Sequence, residues 1–314
     1  MLLPDAGLHV WVSGNEFRTL VIGNSYIFTE ETHWKRGELL AAAITVLKGA
    51  NIEHSARNVE WMLCELLACN RAHLLAYPEE PVSAGVVAKL AEMIRRRSNR
   101  EPLQYILGHT EFLGHRINVT PAVLIPRPET EWIVDEMVRV VPGGSTWLDV
   151  GTGSGCIPIS IKLADPTSTV FATDVSEAAL EVARGNADVL GARVHFFIGD
   201  MLAGAFPAIA PASLDVLISN PPYVLEEEAA TLEAEVINHE PHLALFAGRD
   251  PLRFYRALVA MAPALLKPGG KIVLEIHAEQ GGPMHDLLAA SGFDDVKIAT
   301  DLAGRPRMAT ARLA

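Results

Sequence analysis

From residue 146 onward, short apolar runs alternate with longer stretches of helical period, and that alternation leaves few architectures open. Residues 147–150, 170–173, 194–198, 214–219 and 271–276 read as strands, with helices at 177–190 and 252–266 among the intervening segments. Strands separated by crossover helices pair in parallel, so the expected fold class is α/β with a doubly wound sheet. Residues 296–300 and 308–313 flank Gly304-Arg305-Pro306 and read as an antiparallel hairpin at the end of the chain. No segment repeats at a fixed period.

Ahead of the sheet the pattern differs. In residues 1–31, His9-Val10-Trp11-Val12 and Thr19-Leu20-Val21-Ile22 suit a small β-hairpin and equally a loosely held extension, and no function attaches to them. Residues 32–100 are helical. Leu39, Leu40, Ala43, Ile44 and Leu47 share one face of a helix that Gly49 can end. Ser55 is expected to cap a second helix carrying Val59, Met62, Leu63, Leu66 and Leu67. A short piece from Ala72 to Ala76 stops at Pro78, and 83–97 makes a further helix with Val86, Val87, Leu90 and Ile94 inward. Its end carries Arg95, Arg96, Arg97 and Arg100, and a solvated helix terminus favoured by its dipole outweighs a partner-binding patch there. Residues 101–130 read as a linker, with 103–106 and 111–119 forming a hairpin across Gly108. Pro126-Arg127-Pro128 then stiffens the chain before a helix that Thr130 or a neighbour opens and that runs to Val140. Arg127, Glu129 and Thr130 on that stiff segment also suit the wall of a pocket. The sheet domain occupies 131–314.

Bulk properties exclude several classes of function. A 49% hydrophobic content with 20% charged residues is globular. The net charge of −12 argues against a non-specific grip on nucleic acid. Cys64, Cys69 and Cys156 form no C-x-x-C pair, and a reduced cytoplasmic protein is expected. No apolar run approaches the roughly 18 residues that cross a bilayer, and no signal peptide is expected.

The chemistry gathers at the carboxyl ends of the strands. The first strand runs into Asp149-Val150-Gly151-Thr152-Gly153-Ser154-Gly155 ahead of a helix, where glycines permit a tight turn and close approach of a ligand. A glycine-rich loop alone is weak, and a dinucleotide is the obvious rival ligand. The second strand ends at Asp174, whose carboxylate can accept both hydroxyls of a ribose. The third ends at Asp200 and Met201, which can meet an adenine amino group and cover its ring. The fourth delivers Asn220-Pro221-Pro222-Tyr223. Its prolines stiffen the loop, leaving the Asn220 side-chain oxygen and nearby carbonyls as acceptors for a planar –NH2, with the Tyr223 ring beside it. Pro158 lies early enough in the first helix to be tolerated. His239, Glu240 and His242 are a poor metal set because Pro241 breaks the helix they would share, so no metal is expected. Cys156 reads as a packing residue behind the glycine loop.

Together, Gly151–Gly155, Asp174 and Asn220–Tyr223 resemble the class I S-adenosylmethionine-dependent methyltransferases, whose Rossmann-like fold the strand order above suits. Residues 102–108, Glu111-Phe112, residues 125–131, residues 240–245, Phe254-Tyr255-Arg256, Leu274-Glu275-Ile276 with Gln280, and residues 301–305 narrow this. The chain from about residue 32 resembles the HemK/PrmC-type glutamine methyltransferases, while Pro158, Pro251 and His277 depart from the family pattern. The resemblance implies methyl transfer from S-adenosyl-L-methionine, giving S-adenosyl-L-homocysteine. The acceptor it implies is the Gly-Gly-Gln glutamine of class 1 peptide chain release factors. It further implies Gly151, Thr152, Gly153, Ser154, Gly155, Asp174, Asp200, Met201 and Asn220 at the cofactor. Asn220, Pro221, Pro222 and Tyr223 fall at the substrate, with Asn220, Pro221 and Tyr223 catalytic. A monomer without direct nucleic-acid binding is expected. Methylation of a ribosomal-protein glutamine, amino methylation of adenine in DNA or RNA, and a non-catalytic cofactor-binding scaffold are the rival readings.

Overall fold

The computed structural model describes residues 34–204, 206–301 and 303–314, together with the backbone of three short strands before residue 34. The chain divides into two compact units, 1–107 and 108–314. In the first, strands β1 (Leu8–Val12), β2 (Arg18–Ile22) and β3 (Ser25–Ile27) pair antiparallel, so of the two readings the hairpin is the one present, with a third strand added. Helices α1 (Arg36–Gly49), α2 (Ser55–Leu67), α3 (Arg71–Ala76), α4 (Ala84–Ser98) and α5 (Leu103–Leu107) follow. Their apolar faces meet in one core around Leu39, Leu47, Leu63, Leu90 and Ile94.

Three expectations are corrected in this unit. Ser55 is the first residue of α2 and not its cap: His54 holds the cap position at φ +50°, and the Ser55 hydroxyl donates to the Ile52 carbonyl at 2.5 Å. Residues 103–106 form helix α5, because Leu103, Tyr105 and Ile106 bury together in a single turn and an extended strand would split them between two faces. The arginine cluster is not simply solvated. Arg97 is buried with its Nε donating to Asn58 Oδ1 at 2.8 Å, and Arg96 pairs with Glu101.

The second unit begins with the hairpin of β4 (His109–Phe112) and β5 (His115–Asn118). Helix α6 (Pro128–Val140) starts at a proline, with Arg127 and not Thr130 at the cap. Then come β6 (Thr146–Val150), α7 (Cys156–Ala164), β7 (Thr169–Asp174), α8 (Glu177–Leu190), β8 (His195–Ile198) and β9 (Leu214–Ser219). A short parallel pair, β10 (Val224–Leu225) and β11 (Phe246–Gly248), encloses α9 (Ala234–His239) and α10 (His242–Leu245). The chain ends with α11 (Arg253–Leu265), β12 (Leu266–Glu275), α12 (Gly281–Ala290), β13 (Phe293–Thr300) and β14 (Pro306–Leu313).

The seven-stranded sheet has the order β13-β14-β12-β9-β6-β7-β8. Strands β12, β9, β6, β7 and β8 run parallel, and β14 is antiparallel to both of its neighbours. Chain order leaves β6 towards β7 on one side and returns at β9 on the other, so the sheet reverses direction between β6 and β9. Open α/β sheets bind ligands at such a point, outside the carboxyl ends of the strands. Leu148, Leu217, Ile272 and Leu274 are fully buried in the centre, which holds those strand ends rigidly.

Candidate active site

A crevice of about 330 Å³ opens above the junction of β6 and β9. Its floor is the loop after β6. Gly151, Gly153 and Gly155 all have positive φ (+77°, +54° and +80°), a conformation an L side chain resists. At Gly153 an added Cβ would meet nothing, so that backbone faces open space. At Gly155 it would fall 3.0 Å from the Ala183 Cβ, so this glycine serves the packing of α7 on α8 and does not line the crevice. Thr152 and Ser154 line it, as do Asp174, Asp200 and Met201. Asp174 accepts the Gly153 N–H with Oδ2 and the Ser176 N–H with Oδ1, both at 2.9 Å. It is thereby oriented while retaining lone pairs, although burial raises its pKa. Asp200 is exposed and caps the turn that carries Met201, accepting the Leu202 N–H at 2.8 Å. The loop, the carboxylate and the turn come from three successive strand ends and form one wall.

Asn220 and Pro222, after the adjacent β9, line the opposite wall. Asn220 Nδ2 donates to the Thr130 hydroxyl at 3.2 Å, and that hydroxyl donates to Glu275 Oε2 at 2.6 Å. Among the described residues, none donates to Asn220 Oδ1. The buried Pro221 lies outside the lining, and so does Tyr223. The Tyr223 hydroxyl points at Glu275 Oε1 at 3.5 Å, and its ring stands 5.9 Å from that of His277. The ring therefore packs behind the loop, against the core, in this arrangement.

Of the three residues that the stiff segment offers as a pocket wall, Arg127 and Thr130 line the crevice, whereas Glu129 does not. Glu240, buried, binds Arg127 at 2.5 Å and the Ile125 N–H at 3.1 Å, which fixes residues 125–127 against the loop before α10. Glu240 is so engaged and the His242 ring stands 2.8 Å from the Ile237 carbonyl, so these two side chains serve the loop's structure. Leu243, Arg253 and Phe254 add a lip, Leu243 being 61% exposed. Glu275 was missed as a functional candidate, although an acid inside the otherwise apolar run 272–276 was a signal. Burial pushes its carboxyl up to about 7, and burial does the same to Asp149 beneath the glycine loop. Burial also pushes the Cys156 thiol up to about 12, which keeps it protonated as a packing group.

A cofactor of nucleoside type fits this chain. The open backbone at Gly153, the oriented Asp174 carboxylate and the covering Met201 lie along one wall of a crevice large enough for a small molecule.

Comparison with known proteins agrees with that geometry. Residues 38–108 match the family model described as PrmC N-terminal domain, and residues 130–249 match Methyltransferase small domain. A release factor glutamine methyltransferase of Koribacter versatilis is 38% identical over 86% of this chain and 96% of its own length. That of Bacteroides thetaiotaomicron is 41% identical over 79% and 89%, respectively. That of Cereibacter sphaeroides is 38% identical over 89% and 99%.

Proposed function

Because the chain belongs to the release factor glutamine methyltransferase family, we propose that it methylates the side-chain nitrogen of the Gly-Gly-Gln glutamine in class 1 peptide chain release factors. The observation that carries this reading is the state of Asn220. Its amide nitrogen is engaged by Thr130, so its oxygen remains to accept a hydrogen bond in the crevice.

A carboxamide nitrogen is a poor nucleophile because its lone pair is delocalised into the carbonyl. Asn220 Oδ1 and the Pro221 carbonyl can accept the two N–H hydrogens of a substrate glutamine. That holds the nitrogen in one orientation and favours the positive charge it develops. S-adenosyl-L-methionine, when bound, supplies a methyl group on an electrophilic sulfonium. Gly151, Thr152, Gly153, Ser154, Asp174, Asp200 and Met201 would hold it, with Asp174 at the ribose. The prolines keep the acceptors fixed before substrate arrives, so little reorganisation is needed. The excess proton on the methylated nitrogen can leave after transfer, and no general base is required of the chain.

The helical unit supports a second part of the reading, recognition of the protein substrate away from the glutamine. It carries an open hollow of about 660 Å³ lined by Lys48, Arg57, Trp61 and Arg71, and Trp61 is 45% exposed. An exposed tryptophan among cations is the composition of a protein-contact surface. The test of the whole proposal is incubation with labelled S-adenosyl-L-methionine and a purified class 1 release factor, followed by peptide mapping. Label on the Gly-Gly-Gln glutamine is the expected result, and label elsewhere or none defeats it.

A further inference from the structure

We propose that Glu275 is a positioning residue which, acting through the Thr130 hydroxyl, fixes the Asn220 side chain with its oxygen facing the substrate, and does so only while ionised. The inference rests on the reading of Asn220 as acceptor for a substrate amide. Three residues far apart in sequence form a short chain of hydrogen bonds: Asn220 Nδ2 to Thr130 Oγ1 at 3.2 Å, then Thr130 Oγ1 to Glu275 Oε2 at 2.6 Å. Thr130 is 4% exposed and Glu275 2% exposed, so water does not substitute for either partner.

A hydroxyl carries a single hydrogen. A carboxylate can only accept, so with Glu275 ionised the Thr130 hydrogen must point to it. Thr130 can then only accept from Asn220, which selects the amide nitrogen for that contact and leaves the oxygen for the crevice. With Glu275 protonated the order can reverse. The acid donates to Thr130, the hydroxyl hydrogen is released towards Asn220, and the amide turned over becomes the better partner. A turned Asn220 presents two donors to a substrate –NH2 that itself has only hydrogens to offer, and the nucleophile is no longer held.

The surroundings make that ionisation sensitive. From α6, Glu129 faces Glu275 with like charge; from β14, Arg307 faces it with opposite charge but pairs with Asp301 at 3.4 Å and reaches Glu129 at 4.0 Å. Tyr223 approaches from the loop after β9, with His277 beside its ring, and the Tyr255 hydroxyl of α11 donates to the Glu275 backbone carbonyl at 2.9 Å. No described Lys or Arg makes an ion pair with Glu275, and burial pushes its carboxyl up to about 7.

The test is single-turnover methyl transfer to an intact class 1 release factor, with saturating cofactor, between pH 5.5 and 8.5, for the wild type, Thr130→Val and Thr130→Ser. The wild-type rate should fall towards low pH with a midpoint near 7. Thr130→Val, near-isosteric but without the hydroxyl, should be roughly tenfold slower at high pH, the loss of about one hydrogen bond's bias. It should also lose the acid limb, because Asn220 no longer senses Glu275. Thr130→Ser should restore both. Cofactor affinity by calorimetry should match wild type in each, which certifies folding. A limb that persists in Thr130→Val belongs to another carboxyl, such as Asp149, and overturns the proposal; so does a wild-type rate in Thr130→Val, or failure of Ser to rescue. A wild-type protein that labels no release factor at any pH instead overturns the reading of function on which the proposal rests.

Discussion

The two units treat buried charge in opposite ways. In the helical unit, each buried ion meets a partner: Arg97 donates to Asn58 at 2.8 Å and to the Glu101 carbonyl at 3.1 Å, and Glu60 binds Arg71 at 2.7 Å. In the α/β unit, Asp149 and Glu275 are 0% and 2% exposed and neither has an ion pair among the described residues. Burial drives both carboxyls up to about 7. Glu240 shows that this unit can pair a buried acid when structure alone is at stake, since Arg127 holds it. An unpaired buried carboxylate destabilises a fold, so its presence beside a crevice marks a group kept for what it orients. Among the described residues, the helical unit gives its buried ions partners, and the α/β unit leaves two buried carboxyls without an ion pair near the crevice.

The largest test of that contrast is Asn220→Ala. It removes the acceptor and leaves the prolines and Tyr223, so methyl transfer should fall by about 10²–10³ with cofactor affinity little changed. Asn220→Asp keeps an oxygen in place and should retain partial activity. Near-wild-type single-turnover rates for both variants would reduce Asn220 to a turn residue and dissolve the contrast.

A smaller effect is expected in stability. Glu275 is raised in the fold from 4.5 to about 7, so the native state holds a proton that the unfolded chain has already lost in between. Stability must therefore fall as pH rises through that window, and the penalty is complete above the raised value. Glu275→Gln removes it. The variant should match wild type near pH 4 and exceed it at pH 8 by about 3 kcal/mol, at ~1.4 kcal/mol per tenfold in the ionisation constant. Denaturant titrations at the two pH values measure this, and equal stabilities at pH 8 would mean that solvent reaches Glu275.

The smallest change belongs to the helical unit. Trp61→Ala should raise the KM for an intact release factor several-fold, the usual consequence of removing an aromatic anchor, and leave kcat unchanged. A fall in kcat instead would place part of the catalytic machinery in the helical unit.

Much of this architecture is legible in the sequence. Local period and apolarity located all five parallel strands to within a few residues, and 214–219 and 177–190 coincide with β9 and α8. The glycine loop, Asp174, Asp200, Met201 and Asn220 were legible because each sits at the end of a strand or within three residues of it, where backbone conformation and ligand approach impose residue types. Residues 103–106 misled because four residues with two or three apolar members satisfy both a strand and a helical turn. The small elements α9, α10, β10 and β11 went unread, being too short to show a period.

By itself, then, the sequence determined which candidate residues follow which strands, the parallel pairing that carries them to one edge of the sheet, and the family resemblance. Those depend on neighbours in the chain, through dihedral preference and alternation. Only the tertiary structure decided that Thr130 and Glu275, 145 residues apart, share a hydrogen bond and that Asn220 completes the line. It also decided that Tyr223 packs behind the loop. Such pairings arise where α6, β9 and β12 come together, and no local period encodes which side chains meet there, because hydroxyl, amide and carboxyl find each other only after the core has brought their backbones within reach.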